Sequence, residues 1–268
     1  MSFYTSLSGL KNAQAGLNVT AHNIANAETS GFKKSSANFA DLVAGSANAD
    51  PRMMIGIGSS VDSITQNFDV GPIEQTGASL DLAITGDGFF STVSLADGKT
   101  LYTRSGGFGI DETGNVQDGK GNVLQVFAPG ADPAAGAPVG AVVPLVNGAG
   151  SEFAGITVGS DGSMIASYAD GSSAVMGTVA LANFTAPTGL RQMGSSNWTS
   201  TGISGAAAYG APNVGRNGGI MSGAIERSNV DLSEELVSLI TAQRYFQANA
   251  KAIDTATQIS QTIINLRT

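Results

Sequence analysis

Cysteine is absent from the 268 residues. Disulfides and thiolate metal sites are therefore excluded, and the compartment cannot be read from redox chemistry. Histidine occurs once, at His22, so a catalytic triad or a histidine-based metal centre has a single possible member. Charge is scarce as well: Asp, Glu, Lys and Arg make up 13% of the chain, against about 25% in an average protein. The net charge is −8 and the longest basic run is Lys33-Lys34. That speaks against nucleic acid, whose phosphates call for clustered Lys and Arg, and against an anionic membrane surface. No apolar run approaches the roughly 20 residues of a membrane span, so no membrane insertion is expected. The first ten residues have neither a basic start nor a continuous apolar stretch, unlike a secretory signal peptide.

What the chain has is glycine and a moderate supply of apolar side chains. Its 36 glycines are close to twice the roughly 7% of an average protein. The hydrophobic fraction of 42% is enough to build a core. Asp-Gly or Asn-Gly pairs begin at Asp87, Asp97, Asp118, Asn147, Asp161, Asp170 and Asn217. Such pairs favour tight hairpin turns, because both residues tolerate positive φ. Short strand-like runs such as Leu80–Ile84 and Phe89–Val93 lie among them. Ala128–Pro144, rich in Ala, Gly and Pro, reads as a loop.

Both ends are helical in pattern. Over residues 3–28, Phe3, Leu7, Leu10, Gln14, Leu17, Ala21 and Ile24 alternate spacings of four and three, with Gly31 as a C-terminal stop. From Asp231 to Leu266 the same spacing links Leu232, Leu236, Leu239, Gln243, Phe246, Ala250 and Ile253, and Ile263, Ile264 and Leu266 extend the apolar face. Asp231 and Glu234 resemble a capping box. The predicted fold class is α+β: long N- and C-terminal helices pairing as a coiled coil, with a mainly antiparallel β body inserted between them. The expected organisation is a first helix over 1–31, an extended connector with a short strand or two over 32–75, a β-rich body over 76–227 and a second helix over 228–268.

No pattern in the sequence points to catalysis. Gly98-Lys99-Thr100 has Val93 where a phosphate-binding loop needs glycine, and a strand-like run follows it. Asp111, Glu112 and Asp118 lack the alternating ligands of a calcium loop. Trp198 and His22 read as packing and surface residues. No enzyme, cofactor or metal is expected. A secreted carbohydrate-binding or enzymatic β-domain protein is the alternative from another class.

Five strings, in four blocks, carry a resemblance. Asn23–Lys33, containing Asn23, Asn26, Gly31 and Phe32, strongly resembles the N-terminal signature of bacterial flagellar rod and hook proteins. Thr76–Phe90 and Tyr102–Phe108 look like that family's first body strands. Ser228-Asn229-Val230-Asp231-Leu232 and Ala242–Asn249, with Gln243, Arg244 and Asn249, match its C-terminal block. The resemblance implies a structural subunit that polymerises into the hollow axial tube of the flagellum. It implies a homopolymer touching rod, hook-cap and hook–filament junction proteins and delivered by the flagellar type III export apparatus.

Ser2–Leu10, Phe39–Leu42, Ser63–Phe68 and Asn265–Arg267 favour the hook over the rod, and so an extracellular hook location. The length favours a distal-rod subunit. In the family the terminal helices form the contacts between subunits. That assigns an interface role to Phe3, Leu7, Leu10, Leu17, Ile24, Leu232, Leu236, Leu239, Phe246, Ile253 and Ile264.

Overall fold

A computed structural model of the chain describes residues 2–44, 55–131 and 136–266. Arg267 and part of the Ala128–Pro144 stretch lie outside the described residues. Two long helices and a large antiparallel sheet account for most of the described structure. The chain divides into two compact units. One consists of Met1–Ala27, Lys34–Asn67 and Val230–Thr268; the other of Glu28–Lys33 and Phe68–Asn229.

In the first unit, helix α1 spans Ser2–Ala25 and helix α2 spans Leu232–Leu266. Asp231 caps α2 as its sequence suggests, its Oδ1 accepting from the backbone N–H of Ser233 (2.8 Å) and Glu234 (3.2 Å). The expected stop at Gly31 is not where α1 ends; the helix ends at Ala25 and a turn follows. Where the sequence suggested an extended connector, strands β1 (Ser35–Ala44) and β2 (Ile55–Gln66) pair as an antiparallel ribbon. Register shifts at Asn38/Phe39 and Leu42/Val43 blur the alternation that would have announced it.

The second unit is the β body. Its sheet runs through Phe153–Val158, Ser163–Tyr168, Ser173–Val179, Asn122–Phe127, Phe89–Ser94, Thr100–Thr103, Asn197–Thr199 and Arg191–Gly194, every pairing antiparallel. Asn122–Phe127 is buried at each position, as befits a central strand covered on both faces, whereas Ser163–Tyr168 alternates. Leu82, Ile84, Phe90, Val116, Leu124, Met164 and Leu181 make one core. A second gathers Phe89, Tyr102, Phe184 and Trp198, whose rings meet edge to face with centroids 4.8–5.8 Å apart. Ala128–Pro144 is more than a loop. Val139 and Gly140 pair with Val126 and Gln125, and Ala141 and Val143 are buried in the first core.

Two short pairings return the end of the body to its beginning: Gly219–Ser222 with Leu82–Thr85, and Ala224–Glu226 with Ile73–Gln75. The second places Glu226 at a buried ionic clasp. Its Oε1 accepts from Lys33 Nζ (2.6 Å) and the Gly71 N–H (2.9 Å), and its Oε2 from Arg104 Nη1 (3.2 Å). Lys33 Nζ also donates to the Asp69 carbonyl (2.7 Å), and Arg104 Nη2 to the Gly86 carbonyl (2.9 Å). Lys33 and Glu226 are wholly buried and Arg104 nearly so. Burial pulls the Lys33 ammonium and the Arg104 guanidinium below their ordinary pKa values, with Glu226 acting against it in both cases.

Gly31 lets this segment approach. Its φ is +65°, its N–H donates to the Glu226 carbonyl (2.8 Å), and a Cβ there would lie 2.4 Å from the Ser105 nitrogen.

One carboxylate thus holds two buried cations, and the two partners of the Lys33–Glu226 pair are not equivalent. Glu226→Gln strands two cations and should lower unfolding free energy by about 3–5 kcal/mol. Lys33→Met leaves a balanced Glu226–Arg104 pair and should lower it by less than half as much. Urea unfolding of the unpolymerised protein measures both; equal losses would rule out the charge-balance account. Gly31→Ala should cost more than about 1 kcal/mol in the same assay, because both its φ and its Cβ are refused.

Candidate functional site

The candidate site is the helical unit, where the predicted interface residues lie. α1 and α2 pack together as an antiparallel pair. Gly9 lies opposite Asn249, since a Cβ on Gly9 would meet the Asn249 side chain at 2.7 Å. At the other end, Asn23 Nδ2 donates to Glu235 Oε2 (3.2 Å).

The most covered positions of α1 are Ala13, Thr20 and Asn23, with Gly9 and Gly16 partly covered on the same stripe. They step by three and four, as one helix face must. On α2 the covered stripe is Glu235, Leu239, Ala242, Phe246, Asn249 and Ile253. Leu239, Phe246 and Ile253 are partly buried on this stripe. Leu232, Leu236 and Ile264 are about half exposed or more (44%, 50% and 63%). On α1, Phe3 is 41% exposed, while Leu7, Leu10, Leu17 and Ile24 are partly buried, as Leu239, Phe246 and Ile253 are. Of the large apolar residues singled out by spacing, Phe3, Leu232, Leu236 and Ile264 are the exposed ones. The seam of α1 is made of small residues, which let a neighbouring backbone come close.

The motif residues divide in the same way. Asn23 is buried and ties α1 to β1: its Nδ2 donates to the Ser35 carbonyl (2.8 Å), and its Oδ1 accepts from the Ser35 N–H (2.9 Å). Asn26 Nδ2 donates to the His22 carbonyl (2.9 Å). Gly31, Phe32 and Ser228 are buried in the body unit, where Asn229 Nδ2 reaches the Asp69 carbonyl (3.2 Å). Gln243 and Arg244 are exposed on α2, and Asn249 Nδ2 donates to the Tyr245 carbonyl (2.9 Å).

Glu235 was missed by the sequence reasoning, which singled out its neighbour Glu234. It is 3% exposed and pairs with Lys34 Nζ at 2.9 Å, while Glu234 takes the same ammonium at 3.0 Å. Burial works against the Lys34 charge, but the two carboxylates outweigh it and raise the pKa. The adjacent lysines therefore serve different units, Lys33 the body and Lys34 the helices.

β2 packs on α1 through polar contacts. Asn12 Nδ2 donates to Ser59 Oγ (2.7 Å), and the Ser59 N–H donates to Ser8 Oγ (3.3 Å). Between α1, the ribbon and α2 runs an open groove of about 590 Å³. The remaining exposed apolar side chains of the unit include Tyr4, Val237, Ile240 and Tyr245 on the helices and Phe39, Ile57 and Ile64 on the ribbon. Nothing in this arrangement assembles an acid, a base and a nucleophile around a cavity. Exposed apolar side chains are what it presents instead.

Known proteins agree with this picture from three directions. Residues 3–33 match the family described as flagella basal body rod protein, residues 83–166 the flagellar hook protein FlgE/F/G D1 domain, and residues 221–266 the flagellar basal body rod FlgEFG protein C-terminal region. The flagellar basal-body rod protein FlgG of Bacillus subtilis is 37% identical over 278 positions, covering 99% of this chain and 98% of the relative. FlgG of Agrobacterium fabrum is 31% identical over 95% of each chain. The flagellar hook protein FlgE of Salmonella typhimurium is 28% identical over 411 positions, spanning the whole of both chains. The terminal helices, the clasped body strands and these end-to-end matches together place the chain in the family of bacterial flagellar rod and hook proteins, as a structural member and not an enzyme.

Proposed function

We propose that this chain is a hook subunit whose copies polymerise through the helical unit into the hollow axial tube of the flagellum. The observation that carries the assembly is the apolar surface left open on α1 and α2, from Phe3 and Tyr4 to Leu232, Leu236, Val237 and Ile240. Side chains of this size, exposed at both ends of the helix pair, bury themselves against further helices when copies meet. In this reading the partly buried Leu7, Leu10 and Leu17 and the half-exposed Leu232 and Leu236 contribute to coiled-coil seams between copies. The helices (1–31 and 228–268) supply adhesion, and the body (76–227) supplies the second set of contacts. Low charge leaves few ion pairs to break when neighbouring copies shift, which suits a joint that bends while transmitting torque.

The hook assignment draws on the hook-like strings at Ser2–Leu10, Phe39–Leu42 and Ser63–Phe68, and on alignment with FlgE along the whole of both chains. The partners are then many copies of itself, the rod below, the hook-cap and hook–filament junction proteins beyond, and the flagellar export apparatus. The second reading is a distal-rod subunit. It is favoured by the match to FlgG over 278 positions, close to the length of this chain, whereas the FlgE alignment runs to 411. A secreted carbohydrate-binding or enzymatic β-domain gives way to family membership.

Deleting residues 2–27 or 230–266 should leave a body with native-like β-sheet circular dichroism that forms no tubes under any condition in which the full chain does. Tubes from either truncated chain would sink the interface assignment. In a deletion strain, electron micrographs of basal bodies should show a complete rod and no hook. Basal bodies halted before the rod is complete would establish the rod reading instead.

A further inference from the structure

The body unit holds a cavity of its own, formed where the paired strands Leu181–Asn183 and Ala208–Gly210 meet the loop 211–217. It measures about 340 Å³, within the roughly 300–1,000 Å³ of sites that enclose a small molecule. Phe184, Tyr209 and Val214 give it apolar walls, and Asn183, Arg216 and Asn217 bring polar groups.

The loop that carries Arg216 is held in place by its own bonds. Asn213 donates from its backbone N–H to the Gly218 carbonyl (3.1 Å) and from Nδ2 to the Ser160 carbonyl (2.9 Å). The Gly218 N–H donates to the Asp87 carbonyl (2.8 Å), and Asn217 Nδ2 to the Ala211 carbonyl (3.2 Å). Gly215, at φ +64°, lets the chain turn between Val214 and Arg216. A loop ordered in advance loses little entropy when a guest binds.

What the site offers a guest is donors. Asn183 Oδ1 accepts from the Phe184 N–H (2.8 Å), which fixes the amide and leaves Nδ2 as the remaining group. That nitrogen is buried and meets no acceptor among the described residues. Arg216 is exposed and forms no ion pair among them. The Tyr209 hydroxyl is engaged with that of Tyr102 (3.0 Å), so Tyr209 contributes its ring.

We propose that this cavity binds a small organic monocarboxylate with a ring-shaped or branched apolar body. A planar guanidinium grips a carboxylate through two parallel hydrogen bonds, and Arg216 is the group that supplies them. An oxygen that reaches Asn183 Nδ2 removes the cost of an unpaired buried donor. The apolar body lies against Phe184, Tyr209 and Val214. A phosphate dianion fits less well, because its further oxygens would stay unpaired beside apolar walls. In a chain of net charge −8, an anion is drawn here by a local cation, which makes Arg216 the discriminating residue. The assignment is independent of how copies assemble.

The test titrates benzoate into the isotope-labelled, unpolymerised full-length chain and follows it by NMR. Benzoate should bind saturably with a Kd of about 1 mM or below and move the Asn183 side-chain amide signals. Arg216→Ala should weaken binding by at least roughly tenfold. Arg191→Ala, which removes an exposed cation elsewhere on the body, should leave it unchanged. Arg216→Lys should fall between the two, since an ammonium cannot reproduce the planar fork. Asn183→Asp keeps an acceptor for the Phe184 N–H, replaces the donor with a negative charge and should abolish binding. The exposed Arg216 variants decide the matter if that variant fails to fold. Acetate lacks the apolar body and benzyl alcohol lacks the charge, so each should bind at least roughly tenfold more weakly than benzoate. The assignment is overturned if benzoate gives no saturable shift, if benzyl alcohol or inorganic phosphate binds as well, or if Arg216→Ala binds unchanged.

Discussion

The body depends on one carboxylate having to satisfy two cations that the fold has removed from water. Glu226 lies between Lys33 and Arg104, and the three come from segments that are remote in sequence. Burial of such groups is tolerable only when each is both paired and hydrogen-bonded, so the backbone groups of Asp69, Gly71 and Gly86 are drawn in as well. The consequence is positional. The segment that leaves α1, the segment that leaves the ribbon and the segment that returns toward α2 are held at one point, while the apolar cores can be assembled from interchangeable Leu, Val, Ile and Phe. Apolar packing tolerates small shifts; a buried ionic cluster with directional bonds does not. It specifies where the body's ends lie more sharply than it stabilises them.

The adjacent lysine extends that logic to the helices. Lys34 joins Glu234 and Glu235 at the first turn of α2, close to where Asn23 bonds the same Glu235 carboxylate. Acidic residues at a helix N-terminus are favoured by the helix dipole, so Glu235 is stabilised there before Lys34 arrives. Two neighbouring lysines, one closing the Asn23–Lys33 string and one just after it, therefore make the same kind of ion pair in two different units. This gives physical content to that string: Asn23 and Lys33 each tie together segments remote in sequence.

The two helices were legible in the sequence because their period is long and regular, although α1 stops at Ala25, short of the expected Gly31, and the Asp231 cap was legible because capping is local. The hairpin-rich, antiparallel body followed from glycine pairs at turns. Which face of each helix is covered was not legible from apolarity alone. Spacing selected Leu7, Leu10 and Leu17 on α1 and Leu239, Phe246 and Ile253 on α2, all partly buried, yet the most deeply buried positions are Ala13, Thr20 and Asn23 on α1 and Glu235 on α2, which apolar spacing does not mark. The ribbon was obscured by its two register shifts. Glu226, Arg104 and Glu235 left no periodic trace, since a pairing across 193 residues of separation is invisible to any local pattern.

Those register shifts in the ribbon have a consequence of another kind. A two-stranded ribbon has an outer edge on each strand, and a row of vacant backbone donors and acceptors invites strands from other molecules. With Val43, Ile55 and Ile57 about half exposed, a flat ribbon would be a template for sheet growth. Irregularities at Asn38/Phe39 and Leu42/Val43 interrupt both rows within a few residues of each other and add local twist. The ribbon is thereby discouraged from sticking to other strands, so crowding should not drive amyloid-like stacking through it.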